Sequence, residues 1–120
     1  MENYEAAKEL GDARRYRSCA SRAYYAAFSA VTHAVSGHAP LTRGRETPAH
    51  AKLPQLVKDH SGLDKQWARR VMAAIRRLYD FRIAADYQSS RTVDEGVARR
   101  ARRDARLVCS ALGVLHETSH

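Results

Sequence analysis

The chain has only two cysteines and three prolines, and no apolar run near the length needed to cross a bilayer. The missing apolar run excludes a transmembrane helix. Two cysteines, Cys19 and Cys109, are too few for a disulfide framework, and both sit on or beside apolar helical faces. They read as buried thiols acting as small hydrophobes rather than as a bridge or a reactive site. Strict apolar–polar alternation and clusters of Val, Ile and Thr are also missing, which excludes a β-rich fold. The N-terminus, Met1-Glu-Asn-Tyr-Glu5, lacks the basic start and apolar core of a signal peptide, so a cytoplasmic address is expected. Gly and Pro are scarce except in Ser36-Gly-His-Ala-Pro-Leu-Thr-Arg-Gly-Arg-Glu-Thr-Pro-Ala-His50, which has no helical period and reads as a loop.

What is present is helix-forming sequence in a single domain of 120 residues, long enough to bury one core. A first helix is expected over about Glu2 to Leu10, stopped by Gly11, and a long second one from about Asp12 to Val35. A short third covers about Ala49 to His60 and breaks at Ser61-Gly62. Ser61 with Asp64 caps a fourth helix reaching about Tyr87, and Thr92 with Glu95 forms a capping box for a last helix running to about Leu115. The expected fold is all-α, an antiparallel up-and-down bundle of four to five helices.

On a wheel of about 100° per residue, the second helix gathers Cys19, Ala20, Ala23, Tyr24, Ala27, Phe28, Val31 and Val35 in one half. The alanines let a neighbouring backbone approach, and Tyr24 and Phe28 supply bulk. Tyr25 points toward the polar side beside Arg22. It is either a surface accident or, with Arg22, part of a dimer interface. The fourth helix carries the stripe Trp67, Val71, Ile75, Leu78, Phe81 and Ala85, with Arg82 inside it and Asp86 four residues on. A guanidinium in such a stripe must be paired, must snorkel, or must face a cleft. Either Arg82 and Asp86 form an internal ion pair that fixes the bundle, or Arg82 is held for phosphate contact.

The formal net charge is +8, almost entirely through arginine. Arg99, Arg100, Arg102, Arg103 and Arg106 share the polar face of the last helix, opposite Val97, Ala101, Ala105, Val108, Leu112 and Leu115. With Arg69, Arg70, Arg76 and Arg77 of the fourth helix they make a basic surface suited to phosphate backbones, to an acidic protein, or simply to solvent. The six histidines, His33, His38, His50, His60, His116 and His120, are irregularly spaced and have no accompanying cysteine pair, so no metal set and no cofactor is expected.

Ser21-Arg-Ala-Tyr-Tyr-Ala-Ala-Phe28 and Arg82-Ile-Ala-Ala-Asp-Tyr87, taken as a pair and in this order, resemble the HEPN superfamily, small helical domains of prokaryotes and some eukaryotes. The resemblance covers roughly residues 3 to 115. It implies a four- or five-helix bundle, commonly a homodimer, with the late arginine near the dimer interface. It also implies a role in toxin–antitoxin or defence systems, often beside a nucleotidyltransferase-like antitoxin. Active ribonucleases of that family carry R-x4-6-H at this place and cut RNA without metal. Here the positions five to seven residues beyond Arg82 are Tyr87, Gln88 and Ser89. A phenol, with a pKa of about 10 in water, is a poor base at pH 7. On a continuing helix Tyr87 also points about 140° away from Arg82.

The leading expectation is therefore a homodimeric module without strong catalysis that binds RNA, a nucleotide or a partner protein. Arg82, Asp86 and Tyr87 would line its cleft, and Arg99, Arg103 and Arg106 would add attraction. The alternatives are a metal-independent endoribonuclease using Arg82 and Tyr87 as catalytic residues, and a purely structural dimer. No membrane association is expected.

Overall fold

Helix-forming residues and well-placed caps set the architecture of the computed structural model, which describes residues 2–12, 15–35 and 52–113. These form α1 (Glu2–Asp12), α2 (Tyr16–Val35), α3 (Leu53–His60), α4 (Lys65–Tyr87) and α5 (Glu95–Ala111), with no strand among the described residues. The all-α expectation holds. The glycine-rich stretch 36–50 lies outside the described residues, as does the start expected for the third helix at Ala49.

Several boundaries differ from the sequence reading, and the caps explain them. Gly11 does not stop α1, which continues to Asp12, and α2 begins at Tyr16 instead of Asp12. α3 starts with a proline in its first turn, where a missing N–H costs no hydrogen bond. Gly62 takes φ +76° and turns the chain into α4. The α4 cap is Asp64, whose carboxylate accepts from the Trp67 N–H at 2.9 Å, while Ser61 Oγ accepts from the Leu63 N–H. Likewise Asp94, not Thr92, caps α5 by accepting from the Val97 N–H at 2.9 Å. An aspartate accepts as well as a hydroxyl and adds favourable charge at the positive end of the helix. α5 ends at Ala111 rather than Leu115, because Gly113 adopts φ +77° and donates its N–H back to Ser110 O.

Contacts between helices give their directions. Asn3 of α1 meets Arg22 of α2, and Leu10 O meets Arg15 N, so α1 and α2 are antiparallel. Arg17 reaches Ala84 and Ala85, and Tyr25 meets Arg82, so α4 opposes α2. α2 and α5 both oppose α4 and therefore run parallel to each other. They pack closely because α2 presents Ala20, Ala23, Ala27 and Ala30, and α5 presents Ala98, Ala101 and Ala105, all buried. The two thiols sit in this seam: Cys19 Sγ donates to Ala98 O at 4.0 Å, and Cys109 Sγ donates to Ala26 O at 3.7 Å. Both cysteines are free and buried, and burial pushes the Cys109 thiol up to about 11.

Bulk comes from Tyr24, Val31, Leu53, Val57, Val71, Ile75, Leu78 and Val108, all fully buried. Two side chains depart from the expected stripes. Trp67, placed by the wheel in the α4 core stripe, is 42% exposed, with the Arg70 guanidinium stacked on its ring at 4.4 Å. Asp104 lies among the buried residues of α5 and is held by a two-pronged ion pair with Arg77 of α4, Nη2 to Oδ1 at 2.8 Å and Nε to Oδ2 at 2.9 Å. No helix among the described residues is long and apolar enough to cross a membrane.

Candidate functional site

The antiparallel packing of α2 on α4 brings the two sequence motifs together. Arg82 leaves the inner side of α4 and enters a cage of three tyrosines. Its guanidinium carbon lies 5.4 Å from the Tyr25 ring centre, 5.8 Å from that of Tyr24 and 5.2 Å from that of Tyr87. Nη2 donates to Tyr25 Oη at 3.0 Å and to Tyr87 Oη at 3.2 Å. Aromatic faces and phenol oxygens together offer a buried cation the negative potential it loses on leaving water.

Asp86 closes the cage on one side. Its Oδ2 lies 3.3 Å from Arg82 Nε and accepts from Ser21 Oγ at 3.2 Å. The carboxylate sits off the Nε–H axis, so this buried nitrogen has an ion-pair partner without a hydrogen bond. The pKa of Arg82 is raised: burial opposes its charge, and Tyr25, Tyr87, Asp86 and Tyr24 together outweigh that penalty. It remains a permanent cation. Tyr24 packs edge-on to Tyr25 at 5.4 Å and to Tyr79 at 5.7 Å, and its phenol pKa is driven upward by burial, with Arg82 opposing.

Two expectations change here. Tyr25 is only partly exposed: its ring packs against the core and its hydroxyl accepts from Arg82. Tyr87 does meet Arg82, although α4 stays helical through Tyr87. The wheel gives the direction of a Cα–Cβ bond, whereas an arginine and a tyrosine are long enough to converge beyond their helix. Tyr87 is nevertheless 67% exposed, so its ring forms the outer wall of the cage and faces solvent.

One residue of this site was not singled out as a candidate from the sequence. Arg17 lies across the C-terminal end of α4 and donates Nη1 to Ala84 O at 2.8 Å and Ala85 O at 3.3 Å. Further donations go to Gln88 O, Ser89 O and Arg91 O. A cation there satisfies the open carbonyls and the negative end of the helix, and it fixes the turn that carries Tyr87.

Of the residues singled out by sequence, Arg82, Asp86, Tyr87 and Tyr25 are brought together. Arg22 instead donates to Asn3 Oδ1 of α1 at 3.2 Å. Arg99, Arg103 and Arg106 are exposed on α5, and Arg99 pairs with Glu95 at 3.0 Å. Arg77, read as part of the basic surface, is neutralised by Asp104. Neither described histidine, His33 or His60, hydrogen-bonds to the cage; His38, His50, His116 and His120 lie outside the described residues. Among the described residues no group of three or more His, Cys, Asp or Glu is placed to hold a metal ion.

Chemically, this arrangement presents a fixed cation behind an exposed aromatic ring, with hydroxyls on either side. It suits a phosphate next to a stacked base. Compared with known proteins, residues 1–115 match the family model described as the HEPN domain. No curated protein and no solved structure matches.

Proposed function

The chain belongs to the HEPN domain family, and from that premise we propose that it is a homodimeric module that binds single-stranded RNA at the Arg82–Tyr87 cage and leaves it uncut. The observation that carries this reading is the geometry at Tyr87. Its ring is two-thirds exposed while its hydroxyl is tied to the guanidinium of Arg82. A ring held this way is a platform for an unpaired base, and the cation behind it attracts the adjoining phosphate. The exposed arginines of α5 add sequence-independent attraction.

Cleavage of RNA needs a group that takes the proton of the attacking hydroxyl near neutral pH. The cage contains phenols, one hydroxyl and one carboxylate that is engaged by Ser21 and Arg82. No imidazole among the described residues joins it. These features support binding over catalysis.

Fluorescence anisotropy with a labelled single-stranded RNA tests the proposal. We expect binding that weakens steeply with added salt, and about a tenfold loss with Tyr87→Ala, since stacking of one base contributes roughly 1–3 kcal/mol. Tyr87 is exposed enough that this variant should fold, which circular dichroism would verify. Absence of binding at low salt, or equal affinity of the variant, would overturn the reading.

A further inference from the structure

The opposite end of α4 carries a second surface that the cage does not use. Trp67 lies fifteen residues before Arg82, about 22 Å away along the helix axis. Its exposed ring lines a groove of about 450 Å³ with Leu63, Leu107 and Ala111. A second groove of about 470 Å³ adjoins it at Leu63 and is floored by Leu63, Ala68 and Met72. Lys58, Lys65 and Arg69 rim this second groove. None of these three cations makes a hydrogen bond or ion pair among the described residues. Asp59 and Asp64, which adjoin two of them in sequence, turn their carboxylates elsewhere: Asp64 Oδ1 accepts from the Trp67 N–H at 2.9 Å, and Asp59 Oδ2 from Gln55 Nε2 at 2.9 Å.

We infer that this double groove is a docking site for an acidic amphipathic segment of a partner polypeptide. The apolar part asks for leucine-like anchors at helical spacing, and the rim of cations without an ion pair among the described residues asks for carboxylates beside them. Trp67 has the features of a central anchor: a large ring, part apolar and part polar, with Arg70 stacked on it. A nucleic acid strand would use the three cations and could stack on Trp67, but would leave the aliphatic floor of Leu63, Ala68 and Met72 without a partner. A second copy meeting this face through the same face would set Lys58, Lys65 and Arg69 against their own counterparts, like charge against like. Charge complementarity therefore selects an acidic polypeptide. The site is independent of the RNA reading, so either can fail alone.

Trp67 is the only tryptophan in the chain, so its emission reports this groove directly. The probe is a synthetic tryptophan-free helical peptide with leucines at i, i+3, i+4 and i+7 and glutamates elsewhere. Its control keeps the leucines and replaces glutamate by lysine. Titrating the full chain with the acidic peptide is expected to shift Trp67 emission to the blue, saturably, and to shift it far less with the lysine peptide. The double variant Lys65→Glu with Arg69→Glu changes only exposed side chains and is expected to weaken the acidic peptide by about tenfold or more. Three outcomes would overturn the proposal. An equal response to both peptides would remove the charge argument. A blue shift that grows with protein concentration alone would assign the groove to a second copy. A saturable Trp67 response to single-stranded RNA that Tyr87→Ala leaves intact would assign it to nucleic acid.

Discussion

Arg82 shows how a side chain forbidden by simple burial becomes tolerable. Its neighbours replace water piece by piece: three aromatic faces, two phenol oxygens and one carboxylate. The wheel locates Arg82 on the apolar stripe and Asp86 beside it, so the ion pair was legible from spacing alone. The tyrosines were not. Their convergence depends on side-chain length and on the approach of α2, neither of which a one-helix projection contains. At the same scale, Cys109 makes a prediction about alkaline stability. Its thiol is raised from 9.0 to about 11 by burial. Below pH 9 both folded and unfolded chains keep the proton. Between 9 and 11 the unfolded thiol ionises and the folded one does not, so stability falls with pH until the folded thiol also ionises. Tyr24, also raised, pushes the same way at higher pH. Urea midpoints measured from pH 8 to 11 should fall, with Cys109 responsible for roughly 2–3 kcal/mol of the loss. Cys109→Ala should show a shallower fall; an unchanged fall would contradict the assignment.

Element boundaries were legible where glycine and apolar period agree, and less so where two possible caps stand close together. Ser61 precedes Asp64 by three residues, and Thr92 precedes Asp94 by two; in both places the aspartate holds the first turn. The role of Arg17 was not legible, because its acceptors are backbone carbonyls 67 to 74 residues away. Asp104 was equally hidden, since one acid among five arginines on α5 reads as surface. The Arg77–Asp104 pair that joins α4 to α5 is asymmetric, with side chains 51% and 10% exposed. Removing the arginine strands a buried carboxylate, whereas removing the aspartate leaves a guanidinium that water can reach. Arg77→Ala should therefore cost about 2–3 kcal/mol and Asp104→Ala about 1 kcal/mol. Denaturant unfolding checks the order; a larger loss for Asp104→Ala would contradict it.

For the molecule as a whole, alanine is the organising residue. The parallel pair α2 and α5 closes because small side chains face each other, and this closure sets where α4 lies and how the two motifs meet. Basic side chains also gather at two separate places, Arg82 in the cage near the end of α4 and Lys58, Lys65 and Arg69 at the groove near its start. Homodimerisation, which belongs to the proposed function, should appear in sedimentation equilibrium as twice the chain mass of 13.5 kDa; a single-chain mass at micromolar concentration would remove it. The central claim is that the cage holds RNA without cutting it. Its most direct test is a single incubation of the protein with labelled single-stranded RNA in EDTA, read both by anisotropy and on a denaturing gel. The predicted result is RNA that is bound at low salt and remains full length. RNA cut without metal, with the cutting abolished by Arg82→Lys in a folded protein, would contradict it.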